Sequence, residues 1–263
     1  LGGPQHPARR HVTSTPLKPA AVRLSDISAA MSTGWRQFCA MPALSSGYAA
    51  VFVVLGAILF WALESMSIAP ISLSFAGGFM LIGPALLAGF FALSDSLRAG
   101  RRPVAADIGR GFARMPRGGW VVSFVCALLF LIWITDAGTL YGFMVGREPA
   151  QLAHLLQGDA AIHRFVFFSS IMGAVLAFIL FTVSAFSIPL IYDHRANLVS
   201  GVVASVRAVF GRFGVVMAWA CLLAAVIIVS AVLLPLLLVT LPVMAYASRE
   251  LYFRVYPVDG APD

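Results

Sequence analysis

The sequence predicts an all-α membrane protein: six transmembrane helices forming three helical hairpins, each preceded by a cytoplasmic amphipathic interfacial helix. Three observations carry this. First, the 263 residues are 60% apolar and only 11% charged, with a mean hydropathy of +0.91, where a soluble domain carries about 45–50% and about 25%. Second, the uncharged runs are long: Gln37 to Leu63, Ser65 to Ser94, Gly118 to Thr135, Phe165 to Tyr192 and Phe213 to Ser248. Each is near or above the about 20 residues that cross a bilayer, and inside lipid such runs must be helical to satisfy their backbone. Third, the basic residues alternate with the runs. All but two of the 18 Lys and Arg precede the odd-numbered spans or follow the last; the exceptions are Arg147 and Arg164. Positive residues are retained on the cytoplasmic side, so the expected location is a bacterial inner (cytoplasmic) membrane, multi-pass, with both termini cytoplasmic.

Taken in order, residues 1–23 are rich in Pro, Arg, His and Thr and lack an apolar segment, which predicts a disordered basic cytoplasmic tail rather than a cleaved leader. From Leu24, apolar residues at Ile27, Met31, Trp35 and Phe38 recur at steps of three and four, the pattern of a helix lying at the headgroup boundary with Arg36 on its rim. The first two spans are Leu44 to Leu63 and Ile68 to Leu93. A second surface helix has Val104, Ile108, Phe112 and Met115 on one side with Arg110 and Arg114 on other faces. The third span runs from Trp120 to Tyr141 and the fourth from Phe165 to Ile191, with a short external helix expected near Pro149 to Leu156 between them. The third surface helix sets Val199, Val202, Val203, Val206, Val209 and Phe210 opposite Asn197, Ser200, Arg207 and Gly211. The final run of 36 uncharged residues would span about 54 Å as one helix against a core of about 30 Å, so it must divide near Ser230 to Pro235 into spans Phe213 to Val232 and Leu233 to Ala247. Residues 255–263 form a tail.

These elements read as three pseudo-repeats over 24–98, 103–193 and 196–254, each a surface helix, an outgoing span and a returning span with a proline: Pro84, Pro189 and Pro242. All three would share one orientation, so any axis would lie along the membrane normal.

Several stretches resemble a family of prokaryotic predicted integral membrane proteins, domain of unknown function 2189: Gly34-Trp35-Arg36-Gln37-Phe38 with Pro42 and Gly47, Leu81-Ile82-Gly83-Pro84 with Ala88-Gly89, Ser187-Ile188-Pro189-Leu190 with Asp193, Ala204-Ser205, and Leu241-Pro242. The resemblance implies a six-span bacterial inner-membrane protein without an established activity, and so no catalytic residues to carry over. Some members carry His near the positions of Tyr246 and Glu250 and an acid near Ala92; this sequence lacks all three, which weakens a metal, haem or proton-relay role there.

No residue set specifies a reaction. None of the five His lies inside an expected span, the three Cys form no CxxC pair, and no Gly-rich phosphate loop or HExxH occurs; no catalytic residue, metal or cofactor is expected. Asp136 is the ionisable residue deepest in a span, some 16 residues past Trp120, and reads either as an interfacial packing group or as an ion or proton site, with Arg164 as its expected partner. Asp193-His194-Arg195 reads as a solvated helix end with a local ion pair or as a proton-handling cluster. Pro84, Pro189 and Pro242 free the carbonyls of Met80, Ala185 and Leu238, as packing kinks or as the lining of a path. The functional expectation is a non-enzymatic accessory or structural subunit packed against a larger membrane complex, such as a respiratory or other energy-transducing assembly. The alternative is a transporter of a small or lipid-like solute through a kinked-helix bundle. Expected partners are anionic lipid headgroups and other membrane subunits, with no nucleic acid.

Overall fold

The computed structural model describes residues 18–65, 83–146 and 160–257, and among them every regular element is helical. The helices are α1 (Leu24–Ala40), α2 (Pro42–Ser65), α3 (Gly83–Arg98), α4 (Ala105–Arg114), α5 (Arg117–Met144), α6 (Ala160–Ser184), α7 (Ser187–Tyr192), α8 (Leu198–Gly211), α9 (Phe213–Val232) and α10 (Leu237–Val255), with a 3-10 turn at Leu234–Leu236.

Four stretches are long and apolar enough to cross a bilayer: Arg117–Met144, Ala160–Tyr192, Phe213–Ser230 and Leu234–Val255. The pair Leu24–Ala40 and Pro42–Ile58, bent by 100°, adds a fifth if taken as one span. The expected count of six is therefore not reached among the described residues. Most of the expected second span falls on residues 66–82, outside them, and only α3 represents it. The expected external helix at Pro149 to Leu156 also lies outside, as do residues 1–17 and 258–263 of the expected tails; their described parts are docked on each other instead, with Val22 and Tyr256 buried and the Ala20 N–H donating to the Val255 carbonyl at 2.8 Å. The bend follows from the sequence. Pro42 cannot continue α1 because it lacks the N–H for the next ladder bond, so Met41 leaves helical geometry and Pro42 opens α2 instead.

The long last run divides where the length arithmetic requires. Leu233 breaks the helix at φ −113° and ψ 74°, the chain turns through the 3-10 residues, and Thr240 Oγ1 donates to Ser230 Oγ at 2.9 Å across the turn. The last helix does not stop at Ala247 as the apolar pattern suggested; it continues to Val255, because the charged residues beyond Ala247 find partners inside the protein.

α10 is the helix around which the others gather. The surface helix α1 lies along it, and the approach is so close that a Cβ on Gly34 would sit 2.7 Å from the Val243 carbonyl oxygen. α4 lies in the same manner on α3, where a Cβ on Gly111 would collide with the Ala88 carbonyl. α8 packs against α6 and α7. In the expected repeat units, each surface helix thus rests on the returning helix of the preceding unit, and the first rests on that of the last. All three begin alike: the Arg23 N–H donates to Asp26, the Val104 N–H to Asp107 and the Asn197 N–H to Ser200 Oγ. In each case the third helical residue satisfies a donor that the helix cannot.

The two prolines with described surroundings are buried in packed breaks. Pro242 leaves the Leu238 carbonyl without its ladder partner, and Ser46 Oγ from α2 donates to it at 3.0 Å. Ahead of Pro189, Ser205 from α8 inserts its hydroxyl into the ladder, donating to the Thr182 carbonyl at 2.7 Å and accepting the Phe186 N–H at 3.2 Å. An inserted hydroxyl is an ordinary cause of a kink, and this one separates α6 from α7.

Candidate functional site

Three helix ends converge on one guanidinium. α3 delivers Asp95, the end of α7 delivers Asp193, and α10 delivers Arg249, which is 1% exposed. Arg249 Nη2 donates to Asp193 Oδ1 at 2.6 Å and reaches both Asp95 oxygens at 3.1 and 3.2 Å. The guanidinium carbon lies 4.8 Å from the Phe91 ring centre, 4.6 Å from Phe253 and 5.3 Å from both Tyr192 and Tyr252. Arg249 Nε and Nη1 have no hydrogen-bond partner; the ring faces, which carry partial negative charge, surround them instead. One buried cation thus bridges two carboxylates that are themselves partly exposed, and the rings shield the guanidinium.

Further ion pairs tie the neighbouring helices to this centre. Arg98 pairs with Glu250 and lies 4.5 Å over the Phe253 ring. Glu250 also meets Arg254 at 3.4 Å, and Arg254 reaches Asp26 of α1 at 3.0 Å. The backbone N–H of Arg23 and the nearby Arg254 hold the Asp26 carboxyl below its ordinary 3.8. Arg195 donates to Tyr252 Oη at 3.2 Å and to the carbonyls of Tyr256 and Pro257 at 2.7 and 2.8 Å, fastening the chain end. Burial pushes the Tyr256 hydroxyl up to about 12, so it stays a donor, and it bonds the Ala204 carbonyl at 2.8 Å. Between α1 and α3, Ser94 Oγ donates to the buried Gln37 at 2.8 Å; between α2 and α10, Ser45 and Tyr246 share a hydroxyl bond of 2.8 Å.

The arrangement clamps helices. Its cation is permanently charged and meets both carboxylates through Nη2 alone, and no group of three or more metal-ligating side chains occurs among the described residues.

The candidates named from the sequence are scattered. Asp193 belongs to the clamp, and its partner is distant in the chain rather than local. His194 is exposed, with φ +56°. Its N–H bonds the Ile191 carbonyl and the Arg195 N–H bonds that of Leu190, so His194 occupies the left-handed position that ends a helix, where glycine is usual. Asp136 and Arg164 are both exposed and form no ion pair, which corrects the expected partnership. The reason is register. Phe165, next to Arg164, packs on Tyr141 at 5.3 Å between ring centres, which sets Arg164 level with residue 142, about 9 Å along α5 from Asp136. Among the basic residues expected at the interface, Arg110 pairs with Asp107 at 2.7 Å and Arg36 donates to Thr33 at 3.1 Å. Arg114 lies 5.8 Å over the Tyr192 ring and Arg207 is exposed. Pro84 is the second residue of α3; its side chain lies outside the described residues.

Sequence reasoning missed Arg249 because it counted the residue as the cap of a span ending at Ala247. The available signal was Tyr252 and Phe253 one turn beyond Arg249, two of the four rings that surround it; Phe91 and Tyr192 come from other helices.

No curated protein and no solved structure matches the chain. A family model does, over residues 71–193, a stretch that holds Asp95 and Asp193 of the clamp but stops well short of Arg249. That stretch, just under half of the 263 residues, is similar to the family described as predicted integral membrane proteins, DUF2189.

Proposed function

We propose that this protein is a non-enzymatic accessory subunit that packs one apolar flank against a larger membrane protein of a bacterial inner-membrane complex, with its arginine-rich end in the cytoplasm. The carrying observation is how unevenly its spans are covered. Half of the most apolar stretch of α10 is buried, but only 11% of that of α6. α6 and the neighbouring α5 expose Phe124, Leu128, Leu131, Phe167, Phe168, Ile171 and Val175. A bundle that closes one end with an ionic clamp around a buried arginine and leaves a broad apolar flank at its side suits a scaffold that is itself rigid and is covered by something else. The filled breaks at Pro189 and Pro242 support packing over passage of a solute, because the hydroxyls of Ser205 and Ser46 take up backbone groups that would otherwise line a path.

Extraction of the tagged full chain from its native membrane in mild detergent, followed by native mass measurement, tests this reading. A stoichiometric membrane-protein partner is expected. A chain that migrates only as a lipid-bound monomer of 28.0 kDa under conditions that preserve other membrane complexes overturns it.

A further inference from the structure

Every carboxylate whose side chain is described, other than Asp136, sits in an ion pair: Asp26 with Arg254, Asp95 and Asp193 with Arg249, Asp107 with Arg110, and Glu250 with Arg98 and Arg254. Asp136 has no such partner and is exposed. It shares an exposed face of α5 with Leu128, Ile132, Thr135, Thr139 and Phe143. The two threonines cannot serve it, because their hydroxyls donate to the carbonyls of Leu131 and Thr135 one turn back.

Depth makes this exposure costly. Arg117 begins α5, and the Tyr141–Phe165 contact places Arg164 level with residue 142, so the two arginine levels stand about 37 Å apart along the helix. A hydrocarbon core of about 30 Å centred between them puts Asp136 about 5 Å inside the boundary. Arginine and lysine escape such depths by stretching long side chains to the headgroups, but a single methylene gives aspartate no such reach. A carboxylate in that position calls for a compensating group.

We propose that Asp136 receives a lysine or arginine from a transmembrane helix of the partner subunit, laid along the Leu128–Ile132–Thr139 face of α5. The inference rests on the accessory-subunit reading and adds to it the face and the chemistry of recognition. The cation is assigned to the partner because, among the described residues of this hairpin, the nearest arginine by register is Arg164, about 9 Å further along α5.

The test is photo-crosslinking in native membranes, with the photoreactive residue placed at Ile132 or Thr139 on this face, or at Ile228 on the exposed side of α9 as the comparison. The expected result is an adduct from 132 and 139 to a membrane helix that carries Lys or Arg at the crosslinked depth. Its yield should fall about threefold or more in Asp136→Asn, persist in Asp136→Glu, and return in Asp136→Lys when the partner's cation is changed to Asp. An adduct that forms equally well in Asp136→Asn and Asp136→Leu overturns the inference, as does one joining two copies of this chain. An adduct from 228 alone also overturns it while leaving the accessory-subunit reading intact. Adducts with lipid alone from all three positions overturn both.

Discussion

The two ends of the bundle treat charge in opposite ways. At the arginine-rich end, Asp95, Asp193 and Arg249 meet in an aromatic box and a further ring of pairs fastens α1, α3 and α10 together. At the other end, Asp136 and Arg164 stand exposed on neighbouring helices without pairing. The difference teaches where the fold finds its stability. In lipid the apolar surface of one helix has no solvent-driven reason to leave the tails for another, so association depends on close packing and on polar contacts. The clamped end has both, in the glycine-mediated approach of α1 to α10 and in the shared guanidinium. The open end offers apolar area with one unmatched carboxylate.

The largest effect that would break this comparison is expected at Arg249. Arg249→Met leaves two partly exposed carboxylates facing each other beside the aromatic box, and the loss is expected at the low end of the range for a buried ionic group, about 3 kcal/mol. Thermal unfolding in detergent should show it. The triple change with Asp95→Asn and Asp193→Asn should recover most of the loss, since the charges then vanish together. If Arg249→Met unfolds like the parent, the clamp is not what unites the three helix ends. Next comes Gly34→Leu, which drives a side chain into the Val243 backbone and should cost about 1–3 kcal/mol, read as loss of α1 protection in amide exchange. Ser205→Ala removes the hydroxyl that bridges Thr182 and Phe186 and should cost about 1–2 kcal/mol.

Two smaller effects sharpen the contrast. His194→Gly relieves the left-handed backbone at the end of α7 and should raise stability by about 1 kcal/mol. Acid should loosen α1 first. The folded state holds the Asp26 carboxyl below 3.8, so its contribution is complete above that pH and is lost as the pH falls through the lowered value; faster exchange of the first turn of α1 would report it. At the open end, Asp136→Leu should leave unfolding of the isolated chain within about 0.5 kcal/mol of the parent, because no described residue pairs with that carboxylate.

Much of the architecture was legible beforehand. Periodicity marked α1, α4 and α8 as helices, but their buried faces run mainly through small or polar residues, Ala30, Gly34 and Gln37, Asp107 and Gly111, and Gly201, Ala204 and Ser205, while Trp35, Val104, Val199, Val203 and Phe210 of the apolar pattern stay exposed. Helix length forced the division at Leu233, with no polar turn to announce it. The site was far less legible. Asp193 was noticed for its neighbours His194 and Arg195, yet its partner Arg249 stands 56 residues away in sequence. The expected Asp136–Arg164 pair looked natural on facing hairpin helices, but a register set by Tyr141 and Phe165 separates them.

What the sequence determined alone is the class: a bilayer tolerates only helices for runs this apolar and this long. These are local properties, carried by consecutive residues and unaffected by which helix lies beside which. What only the tertiary structure decided is pairing: Ser205 breaking α6 from α7, Ser46 serving the carbonyl that Pro242 freed, and three helix ends sharing Arg249. Such contacts depend on helix rotation and depth to within a few ångströms, and a hydropathy pattern, nearly uniform around each span, carries no information about either.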